Sequence, residues 1–223
     1  MPGLDHDHRA WTCRARAKRR AALSARLEAC EHPAMPNIIA ISGSLRKNSF
    51  NSALLRAAVD LAPSGLSIAV GTIRDIPLYD GDVEAASGIP APVDTLKDQV
   101  AAAEGLLLFT PEYNQSVPGV FKNAIDWLSR PATDIPRVFG NKPVGLLGAT
   151  PGPGGTRLSQ TAWLPVLRGL GAVPWFGKQY YLAGAGQMFD VDGKLADAKS
   201  RQLLVDYLAG FSKFVAAHTS AAR

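Results

Sequence analysis

Short apolar runs alternate with longer amphipathic stretches from residue 37 onward. This alternation is typical of βαβ units, which build a parallel sheet. The first, third and fourth runs are continuously apolar, as expected for strands that helices cover on both faces. The pattern predicts five strands, over residues 38–42, 67–73, 105–110, 143–149 and 173–181.

The amphipathic stretches between these runs predict helices, several of which begin with proline or a small polar residue near the first turn. Right-handed crossovers would distribute such helices over both faces of the sheet. The fold class is therefore α/β, with one doubly wound domain. The predicted helices cover residues 52–61, 92–103, 120–129, 156–170 and 196–217.

The length of 223 residues, with 47% apolar and 19% charged residues, fits one globular domain. Residues 1–34 differ from the rest, because they are rich in Arg and Ala and carry seven basic and four acidic side chains. They lack the apolar centre of a secretory signal and are more acidic than an organellar transit peptide. We expect 1–34 to be a disordered basic tail or a mis-called start, with Met35 as the natural start and 35–223 as the domain.

The net charge of +5 says little about partners, because residues 35–223 carry 17 basic and 15 acidic side chains. Any nucleic-acid contact would have to lie in the tail, so we expect no nucleic-acid partner for the domain. No apolar run approaches the roughly 20 residues of a membrane helix. Cys13 and Cys30 both lie in the tail, and their spacing and that of the nearby histidines are not those of a zinc motif. We therefore expect a cytoplasmic protein with no bound metal.

A polar loop, SGSLRKNSFN at residues 42–51, connects the first strand to the following helix. Free backbone N–H groups at a helix N-terminus attract anions, Ser44 and Ser49 can donate hydrogen bonds, and Arg46 can add a charge. This favours a phosphomonoester ligand, although Ser49 or Asn51 could simply cap the helix. The G-x-G-x-x-G and P-loop patterns are absent, which leaves a mononucleotide as the expected ligand.

A second polar loop, PEYNQSVPG at residues 111–119, follows the third strand. In a sheet ordered 2-1-3-4-5 the first and third strands are neighbours, and the crevice between them accommodates FMN. Tyr113 offers a flat face, Asn114 can donate and accept, and the amides of Glu112 and Tyr113 can reach the polar edge of a ring. The alternative is a well-capped turn. The glycine-rich segment at 152–157 lacks a lysine and contains proline, so we interpret it as a wall of the crevice.

Three segments together resemble the NAD(P)H-dependent FMN reductases of flavodoxin-like fold, in particular their bacterial quinone and chromate reductase branch. The segments are GSLRKNSFN at 43–51, IPLYDGDVE at 76–84 and TPEYNQSVPGVFKNAIDWLSR at 110–130, in the family's order and spacing. The resemblance runs from about residue 36 to the end of the chain. It implies a flavodoxin-like, doubly wound, five-stranded parallel sheet of order 2-1-3-4-5.

The resemblance also implies residue roles. The phosphate and ribityl chain of FMN would be held by Ser44, Arg46, Ser49, Phe50 and Asn51. The isoalloxazine ring would be lined by Pro111, Glu112, Tyr113, Asn114 and Gln115. Thr150 would contact the flavin edge, and Arg157 would lie near the cofactor across the subunit interface of a homodimer or homotetramer. The family's third loop usually reads S-x-x-G-x-x-G-G, whereas residues 149–155 read ATPGPGG, which is shorter and stiffer and would affect substrate access.

We expect FMN to take a hydride from NADPH or NADH and to pass electrons to a quinone, chromate or a similar small molecule. The flavin carries this chemistry, so no catalytic side chain is predicted, and none of the four histidines lies in these loops. One alternative is a flavodoxin-type electron carrier, but such carriers usually have a surface of one charge sign, unlike this nearly neutral domain. Another is a regulatory module that uses its basic tail.

Overall fold

A computed structural model describes residues 36–221, and the prediction for residues 1–34 lies outside them. The described part contains one parallel sheet in the order β2-β1-β3-β4-β5, and β6 also pairs with β4. The predicted α/β class and the order 2-1-3-4-5 are confirmed. The strands are β1 (Asn37–Ser42), β2 (Ser67–Gly71), β3 (Gly105–Phe109), β4 (Pro143–Ala149), β5 (Val173–Pro174) and β6 (Tyr180–Leu182).

Five of the helices correspond to the predicted ones, with ends shifted by a few residues. They are α1 (Phe50–Asp60), α3 (Ala91–Ala102), α4 (Gly119–Leu128), α6 (Arg157–Gly169) and α8 (Ala198–Ala221). The short helices α2 (Gly81–Ser87), α5 (Ile135–Val138) and α7 (Ala185–Met188), and a 3-10 turn at Ala132–Asp134, were not predicted. α2 buries none of its residues, so it has no apolar period that the sequence could reveal.

The fifth strand differs from the prediction, because β5 and β6 replace one continuous strand over 173–181. The Trp175 N–H still donates to the Val144 carbonyl at 2.8 Å, but the indole packs edge-on against Tyr207, with ring centroids 4.9 Å apart. Phe176 then lies 70% exposed, and pairing with β4 resumes at Tyr180. The strand is interrupted where Trp175 turns into the core.

Two apolar cores cover the two faces of the sheet. Ile38 and Ala40 belong to the core that includes α1 and α8, whereas Ile39 and Ile41 belong to the core that includes α3, α4 and α6. Successive side chains of a strand point to opposite faces, so β1 is buried on both. The polar loops therefore emerge at the carboxyl edge of a rigid sheet. No helix among residues 36–221 is long and apolar enough to cross a membrane.

Candidate functional site

Three loops meet at the carboxyl edge of the sheet. We call them loop 1 (residues 43–49, after β1), loop 2 (110–118, after β3) and loop 3 (150–156, after β4). They surround a cleft of about 200 Å³. Its lining consists of Ser44, Arg46, Ser49, Phe50, Asn51, Pro111, Glu112, Tyr113, Ala149, Thr150 and Pro151.

Most of the predicted site residues line this cleft, and three do not. Asn114, Gln115 and Arg157 are absent from its lining, whereas Ala149 and Pro151 line it without having been predicted. Ala149 is the last residue of β4, so its apolar side chain gave no sign of a site. Pro151 directly precedes the segment 152–157 that the sequence predicts as a wall.

Loop 1 passes close to α4 before it reaches α1. The Gly43 N–H donates to the Phe109 carbonyl at 2.9 Å. A Cβ on Gly43 would overlap the ring of Phe121, so glycine is required there. Ser49 is the N-cap of α1, and its hydroxyl accepts a hydrogen bond from the Ser52 N–H at 3.4 Å. The first turn of α1 contains no acidic residue. The positive end of α1 therefore lies at the cleft without a counter-charge on its own first turn.

Ser44 and Arg46 supply the polar side chains of loop 1. The Ser44 hydroxyl accepts a hydrogen bond from the Arg46 N–H at 3.4 Å, while the Arg46 side chain is exposed. No carboxylate among residues 36–221 forms an ion pair with Arg46. The guanidinium is thus available to an anionic ligand.

Asn51 connects loop 1 to loop 3. Its buried amide donates to the Ala149 carbonyl at 2.9 Å and accepts from the Ala149 N–H at 2.9 Å. In this structure the side chain therefore fixes the start of α1 against the end of β4. A direct contact of Asn51 with a cofactor stays a prediction.

Loop 2 ends in a tight hairpin turn. Tyr113 and Ser116 exchange two backbone hydrogen bonds, of 3.1 and 3.0 Å. Between them Asn114 and Gln115 have φ of 50° and 62°, as in a type I′ turn. The turn exposes Asn114 and Gln115 and leaves Tyr113, 47% exposed, at the cleft. The predicted contacts of Asn114 and Gln115 with a ring stay predictions.

Glu112 joins loop 2 to α6. Its Oε2 accepts hydrogen bonds from the N–H groups of Leu158 at 2.8 Å and Ser159 at 3.1 Å. The N-cap of α6, Thr156, makes no side-chain cap bond, so the Glu112 carboxylate supplies the cap and the favourable charge at the helix N-terminus. No local pattern in the sequence indicates this role, because the two partners lie 46 and 47 residues away.

A buried polar cluster supports loop 2 from below. The Thr110 hydroxyl lies 2.8 Å from the Ser159 hydroxyl and accepts from the indole N–H of Trp163 at 2.9 Å. All three side chains are fully buried. Satisfied buried networks of this kind are rigid, so loop 2 has a fixed position on α6.

Loop 3 is held by β6 and α7. The Thr150 N–H donates to the Leu182 carbonyl at 2.9 Å, and the Thr150 carbonyl accepts from the Ala185 N–H at 3.0 Å. Arg157, just after this loop, is exposed and its guanidinium lies 5.4 Å from the centroid of the Tyr181 ring. The structure thus places Arg157 outside the cleft of its own chain.

The chemistry of the cleft is that of binding and orientation. Hydroxyls, a guanidinium and a helix N-terminus lie on its loop 1 side, and prolines and an aromatic ring lie on its loop 2 and loop 3 side. In the part of the chain that the structure describes, no group of three or more His, Cys, Asp or Glu side chains could hold a metal ion. The cleft suits a flat molecule that carries a phosphate at one end.

Comparisons with known proteins agree with this geometry. The family model described as NADPH-dependent FMN reductase matches residues 36–187. An NAD(P)H-dependent FMN reductase of Pseudomonas aeruginosa is 42% identical over 178 residues, which is 80% of this chain and 94% of that protein. A 2-hydroxy-1,4-benzoquinone reductase of a Burkholderia species is 36% identical over 80% of this chain and 95% of its own length.

A solved structure is also similar. It is FerB, a flavoenzyme NAD(P)H:acceptor oxidoreductase from Paracoccus denitrificans, with a TM-score of 0.74 and 32% sequence identity. The similarity covers 82% of this chain and 98% of FerB.

Proposed function

The chain belongs to the NADPH-dependent FMN reductase family, and from this premise we propose that its cleft binds FMN for an NAD(P)H-dependent reduction of a quinone or a similar small molecule. The observation that carries the proposal is the meeting of loop 1 and loop 2 beside the neighbouring strands β1 and β3, where the two chain directions of a doubly wound sheet diverge.

The loop 1 side of the cleft fits the phosphate of FMN. Ser44, Ser49 and Arg46 are all hydrogen-bond donors, and the first turn of α1 adds backbone N–H groups with no acidic neighbour in that turn. Donors without a nearby negative charge suit a phosphomonoester. Ser44, Arg46, Ser49 and Phe50 would hold this end of the cofactor.

The other side of the cleft fits a flat ring. Pro111, Tyr113 and Pro151 contribute apolar or aromatic faces, and Thr150 contributes a hydroxyl. The Glu112 carboxylate also lines the cleft, but it is engaged by two N–H groups of α6. The helix therefore partly compensates its charge, which lowers the repulsion between this carboxylate and an anionic group in the cleft.

When bound, FMN supplies the redox chemistry, taking a hydride from a reduced nicotinamide and passing two electrons to the acceptor. The residues of this chain bind the cofactor, fix its orientation through the rigid loops and leave access for substrates. No side chain of the cleft is required as a general acid or base for this reaction. The names of the relatives, which specify FMN reductase and benzoquinone reductase, support the assignment of an enzyme over a carrier without its own substrate.

The test is the visible spectrum of the purified, flavin-loaded protein under anaerobic conditions. We expect stoichiometric NADPH or NADH to bleach the flavin absorbance, and a quinone added afterwards to restore it. If neither nicotinamide bleaches the flavin while an added reductase does, the protein is an electron carrier and the enzyme proposal is wrong.

Self-association is a separate part of the proposal. Arg157 is exposed and lies outside the cleft of its own chain, which leaves its guanidinium available to a flavin in another copy. Leu158 beside it is 46% exposed, and apolar side chains of this kind are common at subunit contacts. Light scattering coupled to size-exclusion chromatography should give a mass of two or four chains.

The proposal also includes a cytoplasmic location, which the absence of cysteine from residues 35–223 supports. It includes chromate as an alternative acceptor, which the family resemblance supports.

A further inference from the structure

A second cleft lies on the other side of loop 1, at the carboxyl end of β2. Its volume is about 390 Å³, and it is bounded by loop 1, α1 and the segment after β2. We call it the basic cleft, because four cationic side chains line it: Arg46 and Lys47 from loop 1, Arg56 from α1 and Arg74 after β2. Ser52 and Thr72 add hydroxyl groups to its lining.

Arg56 also lines a neighbouring cleft that contains Asp60 and Asp192. Within the lining of the basic cleft itself the positive charge is not compensated. Its lining contains no acidic side chain, and the ion pairs found among residues 36–221 include none of its four cations. Other cations of the described chain do pair with carboxylates, for example Arg130 with Glu84 at 2.8 Å. Cations gathered in one concave surface produce a positive potential that a bound dianion would stabilise.

Arg74 has a defined position in this cleft. Its Nη2 donates to the Leu45 carbonyl at 3.3 Å, so the guanidinium lies against loop 1. The Arg74 N–H donates to the Thr72 hydroxyl at 3.1 Å, which fixes the turn after β2. A guanidinium held in this way can offer its other N–H groups to a phosphate at a small cost in side-chain entropy.

Loop 1 also forms the boundary between the two clefts, since Ser44 and Arg46 line both of them. A nicotinamide dinucleotide has its reactive ring at one end and an adenosine at the other. With the nicotinamide in the flavin cleft, an adenosine end that crosses loop 1 enters the basic cleft. NADPH differs from NADH by one phosphomonoester at this adenosine, and such a dianion is what the basic cleft suits.

We propose that the basic cleft binds the adenosine 2′-phosphate of NADPH, and that Arg56 and Arg74 make the enzyme select NADPH over NADH. The inference rests on the proposed function, because it assumes that a nicotinamide reaches the flavin cleft. Arg46 is assigned to the FMN phosphate, so Arg56 and Arg74 are the guanidinium groups that remain for the second phosphate.

The experiment compares kcat/KM for NADPH and NADH at a saturating quinone concentration, in the wild type and in Arg56→Ala and Arg74→Ala. Arg168→Ala is the matched control, because Arg168 is an exposed arginine on α6 outside both clefts. The wild type should favour NADPH. Each cleft variant should lower kcat/KM for NADPH about tenfold, through KM, which corresponds to about 1.4 kcal/mol per contact. Both should leave kcat/KM for NADH within about twofold of the wild type, as should Arg168→Ala for both nucleotides.

A wild type that uses both nucleotides equally, or cleft variants that lose both activities by the same factor, would overturn the inference and leave the proposed function intact. Failure of the proposed function is recognised separately, since neither nucleotide would then bleach the flavin.

Binding of 2′-AMP and 5′-AMP, measured by calorimetry, tests the cleft without turnover. We expect the wild type to bind 2′-AMP more tightly, and Arg74→Ala to lose that difference while its circular dichroism and flavin content are unchanged. Equal binding of the two nucleotides would show a general anion site and reject the assignment. So would inorganic phosphate that competes for the basic cleft as strongly as 2′-AMP does.

Discussion

Asn51 and Ala149 lie 98 residues apart in the chain and are joined by two hydrogen bonds of 2.9 Å, which satisfy both the carbonyl and the N–H of Ala149. This pair connects the N-terminus of α1 to the end of β4, on opposite sides of β3. The distance between the phosphate end and the ring end of the cleft therefore depends on one buried side chain that is 4% exposed.

Asn51→Ala should lower the free energy of unfolding by about 2–4 kcal/mol. The substitution leaves a buried backbone N–H and a buried carbonyl without partners, and each such loss costs about 1–3 kcal/mol. Urea unfolding of the wild type and the variant gives the difference. Asn48→Ala, an exposed asparagine of loop 1, serves as control and should change stability by less than about 0.5 kcal/mol. A loss as small as the control's would mean that the Asn51 side chain does not hold the two loops together.

Arg46→Ala should weaken the binding of FMN far more than that of riboflavin. Arg46 lines the flavin cleft and has no carboxylate partner among residues 36–221, so its charge is free for the phosphate that riboflavin lacks. Loss of a charge-assisted contact is worth roughly 1.5–3 kcal/mol, or about a tenfold or greater rise in Kd. Fluorescence titration of the flavin-free protein measures both constants, with Arg168→Ala as control. Equal weakening of both ligands would remove Arg46 from the phosphate site.

Gln115→Gly should stabilise the protein by about 1 kcal/mol. Gln115 has a φ of 62° in the second central position of the hairpin turn, a conformation that costs an L-residue with a side chain roughly 1–2 kcal/mol and that glycine adopts freely. The greater freedom of glycine in the unfolded chain offsets part of this gain. Gln115→Ala keeps the left-handed strain and should give no such gain. Thermal unfolding of the two variants side by side decides the matter, and an equal effect would rule out strain at this residue.

The sequence predicted the elements whose apolar residues follow a clear period. β1, β3 and β4 are continuous apolar runs because helices cover both faces. The strand order was implied by the family resemblance, which rested on the three motif segments at 43–51, 76–84 and 110–130. The break between β5 and β6 could not be predicted, because it depends on Trp175 packing against Tyr207, 32 residues further along the chain. α2 escaped prediction because it lies on the surface and buries no residue.

In the candidate site, too, local sequence patterns could be predicted and contacts between distant segments could not. Ser44, Arg46 and Ser49 were found because a polar loop after a buried strand is a local signal, and the structure brings all three to the cleft. The cap that Glu112 provides for α6, and the pairing of Asn51 with Ala149, are contacts between distant segments. The family resemblance implied ligand binding for both residues, whereas the hydrogen bonds of their side chains in the structure are made to backbone groups.

Burial lowers the pKa of Lys142 to about 8, although the nearby Glu104 carboxylate opposes this shift. The side chain is largely buried, and its ammonium group donates to the Ala103 carbonyl. Between pH 8 and 10.4, the ordinary pKa of lysine, the folded protein binds fewer protons than the unfolded chain, so this group makes stability rise with pH.

Relative to Lys142→Met, the wild type should therefore gain about 2–3 kcal/mol of stability between pH 7 and pH 10. Urea unfolding at a series of pH values measures the difference, in which the contributions of other titrating groups cancel. Lys213→Met, at an exposed lysine of α8, is the matched control for the loss of one lysine. A difference that stays flat for Lys142→Met would mean that the pKa of this amine is not lowered.

Steady-state kinetics with NADPH and a quinone should give parallel double-reciprocal lines. Within residues 36–221, one cleft is shared by loops 1, 2 and 3, and it is the opening through which substrates approach a bound flavin. Donor and acceptor must then occupy it in turn, and each should inhibit competitively against the other at high concentration. The basic cleft adds a second criterion, because a quinone carries no phosphate. Arg74→Ala should raise KM for NADPH and leave KM for the quinone unchanged. Intersecting lines would mean that both substrates bind together, which would disprove the shared cleft while leaving the reductase activity in place.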